Sequence, residues 1–166
     1  MKKLPFLLIF LFLFSSSCSQ ENSYFKRVLN ADSESENWLL HGRTYDESRF
    51  SPLKDINDSN VQDLGLAWSF ETGTNRGHET TPIVVDGMMF ISAPWSVVFA
   101  LDPKTGEEIW SFDPKSDKAW ARNACCDVVN RGVAVWEDQV IFATIDGRLI
   151  SLNKNSGIVT WDVLTI

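Results

Sequence analysis

The sequence predicts an all-β fold of the β-propeller kind, and three observations lead there. From Leu66 onward, short apolar stretches alternate with turn residues, four stretches to a unit. The stretch "GMMFISAPWSVVFALDPKTGEEIW" lies over "DQVIFATIDGRLISLNKNSGIVTW" at a constant offset of 51 residues, matching Gly106 to Gly157 and Trp110 to Trp161. A tryptophan also closes each unit, with Trp68 in "LGLAWSFETG" as a third instance ahead of the first complete one. Four short strands per unit, at a period of about 40–50 residues, are the sequence signature of propeller blades.

Each element follows from its residues. In "PIVVDGMMFISA" a strand reaches a turn at Asp86-Gly87 and a second strand leaves it. "VVFALD" is a third strand, and "PKTGEEIWSF" is a turn followed by a fourth. A long loop from Asp113 to about Asn130 follows, and "GVAVWEDQVIFATIDGRLISLNKNSGIVTWDV" then repeats the scheme. A four-stranded sheet cannot bury both faces alone, so blades stack. The repeated tryptophan supplies a large apolar surface between them, and the glycine before it permits the tight turn into the last strand. Ahead of the blades, "NDSNVQDLGLAW" predicts a short helix capped by Asn57 or Asp58, with Val61 and Leu64 on one face and Gly65 at its end. "NWLLHGRTYDESRFSPL" reads as an irregular packed segment, and no other stretch reads as a helix. Residues 19–36 are polar and unpatterned, as expected of a tether.

The N-terminus has the layout of a bacterial export signal over residues 1–18: Lys2 and Lys3, an apolar run from Leu4 to Phe14, then serines. The run is too short for a stable membrane span. Cys18 follows the small residues, which suggests lipoprotein processing. Ser15 stands where such signals usually carry leucine, so lipid on Cys18 and plain cleavage both stay open. Either way the expected location is the periplasm, with a membrane tether only through Cys18. The 166 residues suffice for one ordinary domain, and a net charge of −7 without a basic run argues against nucleic acid and anionic membrane surfaces as partners. Two blades and part of a third do not close a ring, and "TWDVLTI" is strand-like. The expectation is therefore that residues 37–166 are the N-terminal part of a longer propeller.

Three places can carry chemistry. Cys125 and Cys126 are adjacent, and Cys18 is the one other cysteine. Neighbouring Cα atoms stand about 3.8 Å apart, below the usual disulfide range. A bond between them would close a strained ring that constrains almost no chain entropy. Two free thiols and a bonded ring both stay open, with export and the lack of another partner favouring the ring. Such a ring is a flat, polarizable surface on which a planar ligand can stack, and with no Cys/His cluster nearby a metal site is disfavoured. Glu79, beside His78, precedes the first blade strand, and Arg131 precedes the first strand of the second blade in the same relation. A guanidinium there can hold a ligand carboxylate in bidentate fashion. Asp127 and Asp146 read as isolated turn residues. "DPKTGEEIW" is a blade turn, not a phosphate loop, and no CxxCH, GxSxG or HExxH occurs.

These residues together resemble the quinoprotein alcohol dehydrogenases that use pyrroloquinoline quinone (PQQ). The resemblance rests on "GHETTPIVVDGMMFISAPWSVVFALDPKTGEEIW", "ACCDVVNRGVAV" and the blade motif AxDxxTGxxxW. That motif is complete from Ala100 to Trp110 and degenerate from Ser151 to Trp161, where Ser151, Asn153 and Ser156 replace Ala, Asp and Thr. The resemblance implies an eight-bladed propeller with the quinone on its axis. It implies that Cys125 and Cys126 form a disulfide ring packed on the quinone, with Glu79 and Arg131 hydrogen-bonding its polar edge. It further implies oxidation of an alcohol to an aldehyde by hydride transfer to the quinone, aided by calcium or a lanthanide. Electrons would pass to an acceptor such as a cytochrome c, and haem c would sit only in a C-terminal domain. The catalytic base and metal ligands fall beyond Ile166 in that pattern, so none is assigned and residues 1–166 alone are expected to be inactive. The competing expectation is a non-catalytic propeller lipoprotein serving as an outer-membrane assembly scaffold, which leaves Cys125, Cys126, Glu79 and Arg131 unexplained.

Overall fold

Two four-stranded antiparallel sheets contain all the strands of residues 23–166, the part described by the computed structural model. The first blade contains β1 (Ile83–Val85), β2 (Met88–Ser92), β3 (Val98–Leu101) and β4 (Glu108–Phe112), paired in chain order. The second contains β5 (Ala134–Trp136), β6 (Gln139–Ala143), β7 (Arg148–Asn153) and β8 (Val159–Leu164), paired the same way. The 51-residue offset carries Ile83 onto Ala134, Met88 onto Gln139 and Glu108 onto Val159. It also carries the register shift between Ala100 and Leu101 onto the one between Ser151 and Leu152. The Asp86-Gly87 turn has two left-handed residues in succession (φ 53 and 76), as a tight hairpin requires.

The blades stack and share one core. Val85, Phe90, Val98 and Ala100 of the first join Val140, Ile150 and Leu152 of the second in a single buried cluster. Phe112 and Phe142 meet edge to face across the joint at 6.2 Å. Trp110, at the end of the first blade, donates its indole N–H to the Lys154 carbonyl of the second at 2.9 Å and packs on Gly157. Trp68 does the same one blade earlier, donating to the Pro103 carbonyl at 3.1 Å and packing on Gly106.

The N-terminal expectations need correction. The tether read over 19–36 is structured where it is described: Ser23–Leu29 form a helix, α1, whose Tyr24 and Val28 are buried in the shared core. Arg27 binds Glu34 and Asp86 at 2.6 and 2.7 Å, fastening the helix to the β1–β2 turn. Seven residues with one buried i,i+4 pair, Tyr24 and Val28, form a helix because tertiary contact, not propensity, stabilises them. The helix expected in "NDSNVQDLGLAW" is reduced to a single 3₁₀ turn, Val61–Asp63. The Asn57 side chain caps a turn at Ser59 instead of the helix, and Val61 and Leu64 are exposed. The loop after β4 contains a further 3₁₀ segment, Lys118–Asn123. The irregular packed segment is packed only in its first half: Trp38 pairs with Val84, Leu39 is buried, and Arg43 is buried against the Ala31 carbonyl and Asp32, whereas Tyr45, Phe50 and Leu53 are exposed. The signal read over 1–18 and Cys18 lie outside the described residues.

Candidate functional site

The site is built where the lead-in to β5 runs against the lead-in to β1. Thr81 donates its backbone N–H to the Arg131 carbonyl at 3.2 Å. Gly132 (φ 134) makes the approach close, since a Cβ there would stand 3.2 Å from the Thr81 carbonyl oxygen. The joint brings Arg131 Nη2 to 3.0 Å from Glu79 Oε2. The relation between the two residues is one position out of register: at the 51-residue offset Glu79 corresponds to Asn130, and Thr80 to Arg131. Both side chains are solvent-exposed, so their ion pair contributes only about 0–1 kcal/mol. It can therefore open at little cost when a ligand offers a carboxylate to the guanidinium and a donor to Glu79. His78 is occupied by Thr72, with 2.6 Å between Nε2 and Oγ1.

Cys125 and Cys126 follow the 3₁₀ segment on the same loop, both exposed and both free thiols, with their sulfurs 2.7 Å apart. The hydrogen bond with Cys125 pushes the Cys126 thiol above its ordinary range. The charge of Cys125, slight desolvation and Glu79 push the same way, and Arg131 opposes them. Cys126 is thus within electrostatic reach of both Glu79 and Arg131.

The structure adds residues that sequence reasoning missed. Asp127 is not an isolated turn residue: its carboxylate pairs with Arg76, whose guanidinium lies 5.7 Å from the Trp95 ring centroid. Asp146 is not isolated either. It accepts the Asp117 N–H at 2.9 Å, while neighbouring Arg148 donates to the Pro114 carbonyl, so both fasten the start of the cysteine loop. The repeat itself holds a signal for the first pair, because Arg76 and Asp127 are 51 residues apart and occupy equivalent places in the two units.

The chemistry of this set suits a flat, anionic ring system. A pair of soft sulfur atoms offers a stacking surface, an arginine offers two parallel donors, and a carboxylate offers acceptors. Among the described residues, no group of three or more His, Cys, Asp or Glu side chains is placed to hold a metal ion. The residues present fit an organic anion.

Residues 38–162 match the family described as PQQ-dependent glucose/ethanol/alcohol dehydrogenase, beta-propeller domain, and the chain belongs to that family. It is 53% identical over 139 residues to quinohemoprotein alcohol dehydrogenase ADH-IIG of Pseudomonas putida, covering 84% of this chain and 19% of that protein. The solved structure of ADH-IIG superposes with a TM-score of 0.83 at 52% identity, covering 85% of this chain and 21% of that one. A europium-containing methanol dehydrogenase superposes with a TM-score of 0.79 at 35% identity, covering 85% of this chain and 25% of that one. The 1-butanol dehydrogenase (cytochrome c) of Thauera butanivorans is 46% identical over 129 residues, covering 78% of this chain and 19% of that protein. The chain thus spans about one fifth of the length of the curated relatives it matches.

Proposed function

We propose that this chain is the N-terminal part of a PQQ-dependent alcohol dehydrogenase and supplies one wall of its cofactor site. The observation that supports this reading is the Glu79–Arg131 ion pair, whose charges reach the exposed thiol of Cys126 next to that of Cys125. Arg131 would hold a carboxylate of the quinone, Glu79 would hydrogen-bond its polar edge, and Cys125 and Cys126, in the vicinal disulfide that the family resemblance implies, would pack on its face. When bound, the quinone supplies the two-electron acceptor for a hydride from the alcohol carbon, the hydroxyl proton going to a base. That base, and the ligands for calcium or a lanthanide, would come from residues beyond 166.

The remaining functional assignments are part of the same proposal. The substrate is a small alcohol, converted to an aldehyde, and the electrons leave to a cytochrome c or to haem c in another domain. The names of the P. putida and T. butanivorans relatives support this assignment. The protein would act in the periplasm after its export signal is cleaved, tethered only if Cys18 is retained and carries lipid.

Full-length protein supplied with PQQ and calcium or a lanthanide should reduce an artificial electron acceptor when given a primary alcohol. A folded, metal-loaded protein that binds no quinone and turns over no alcohol would instead support the scaffold reading.

A further inference from the structure

The cysteine pair is fastened through the flank that follows it. Asp127, directly after Cys126, sits in the left-handed region at φ 68, and Trp95 and Ser96 facing this flank do so at φ 66 and 61. That region is disfavoured for residues with side chains, and such conformers persist only where their surroundings over-determine them. Here the surroundings do. Trp95 donates its backbone N–H to the Val128 carbonyl at 2.9 Å and accepts from the Ser116 hydroxyl at 3.2 Å. Asn130 donates to the Ser96 hydroxyl at 3.0 Å, and Ser92 donates to the Asn130 carbonyl at 3.3 Å. The Trp95 ring has two cations within reach, Arg76 at 5.7 Å and Lys118 at 5.8 Å from its centroid. Arg76 then spends its charge on Asp127. A continuous path therefore runs from the β2–β3 connection through Trp95, Arg76 and Asp127 to Cys126.

We propose that Arg76, stacked on Trp95 and paired with Asp127, is a positioning residue that fixes how Cys125 and Cys126 are presented to the quinone. It acts through Asp127 rather than by touching the cofactor. This inference rests on the cofactor reading above. Because Arg76 and Asp127 are both partly exposed, their loss should loosen the loop and leave the stacked blades intact.

The test uses full-length protein with two readouts. Hydrogen exchange of the amides between 124 and 130, measured without quinone, reports the loop. Quenching of tryptophan fluorescence by added PQQ reports affinity. Arg76→Gln and Asp127→Asn should each speed exchange about fivefold and weaken quinone binding by a similar factor, with the global unfolding midpoint unchanged. The double variant should be no worse than either single one, because both break the same link, and Arg76→Lys should recover most of the loss. Unchanged exchange in both single variants, or fully additive losses in the double, would overturn the clamp. If the unmutated protein binds no PQQ, the cofactor reading fails, and the exchange rates still decide whether the clamp exists.

Discussion

Trp110 packs on Gly157 of the neighbouring blade and donates to the Lys154 carbonyl beside it, so one side chain both fills the blade joint and satisfies a carbonyl there. A Cβ on Gly157 would stand 2.8 Å from two atoms of the indole, and its φ of 68 is left-handed. Gly87 has nearly the same backbone (φ 76) with nothing near its missing Cβ. Gly87→Ala should therefore show the handedness cost alone, about 1–2 kcal/mol. Gly157→Ala should add overpacking of about 1–3 kcal/mol. Denaturant midpoints of the two variants in the full-length protein test this; equal losses would remove the docking role of Gly157.

Trp110→Phe keeps a ring on Gly157 and deletes the indole donor. The Lys154 carbonyl then loses its partner in a buried joint, which should cost about 1–3 kcal/mol. Trp161 is a useful control, because its indole donates at 2.9 Å to Gln139 within its own blade. Trp161→Phe leaves a side-chain amide that can reorient, so the loss should be smaller. Urea unfolding of both variants gives the comparison, and a larger loss at Trp161 would contradict it.

The blades were legible because the repeat preserves turn chemistry even where its residues change. Asp102 accepts the N–H groups of Lys104 and Thr105 at 2.7 and 3.2 Å. Asn153, in the degenerate copy, accepts those of Asn155 and Ser156, both at 3.1 Å. Any short side chain with an acceptor oxygen can make that turn. Glu79, Arg131 and the cysteine pair were legible as chemistry, but their meeting depends on the Thr81–Arg131 backbone contact, which no local pattern encodes. Helix α1 was missed because Tyr24 finds Trp136 at 5.3 Å, a partner more than a hundred residues away. Asp127 looked like a turn residue because a lone acid before a glycine-containing segment usually is one, and its cation lies 51 residues upstream.

The N-terminal helix should be held by charge in a pH-dependent way. Hydrogen bonding from Arg27, and then from Lys154, keeps the Asp86 carboxyl below its usual range against the opposing effect of burial. Hydrogen bonding from Arg27 does the same for Glu34. A carboxyl with a depressed folded-state pKa contributes stability above its unfolded value, about 4, and loses it as pH falls through the folded value. Lys154 is buried and pairs with Asp86 at 2.6 Å. Asp86→Asn tolerates the same left-handed turn and should cost about 1–2 kcal/mol at pH 7, discounted for the partial exposure of Asp86. Unfolding measured from pH 7 to 3 should show the gap constant down to about pH 4 and narrowing below it; a gap that does not narrow between pH 4 and pH 3 would exclude an electrostatic origin.

The cysteine pair should reveal its coupling through thiol reactivity once reduced. The hydrogen bond with Cys125, and then its charge, are what raise Cys126 most, while Arg131 pulls it down. The thiolate is the reactive form, so alkylation of Cys126 near pH 8 should be slower than that of an ordinary exposed thiol. Its rate should keep rising past pH 9. Cys125→Ala removes the two largest raising influences and leaves Arg131 to oppose the weaker effects of desolvation and Glu79, so the midpoint of the Cys126 alkylation profile should move to lower pH. Arg131→Gln on that background removes the opposing charge and should move it back up. Mass-spectrometric alkylation rates across pH 7 to 10.5 distinguish these outcomes. A midpoint indifferent to Cys125 and to Arg131 would mean that the sulfur pair and the guanidinium do not share a surface in solution, and the site would lose its geometric basis.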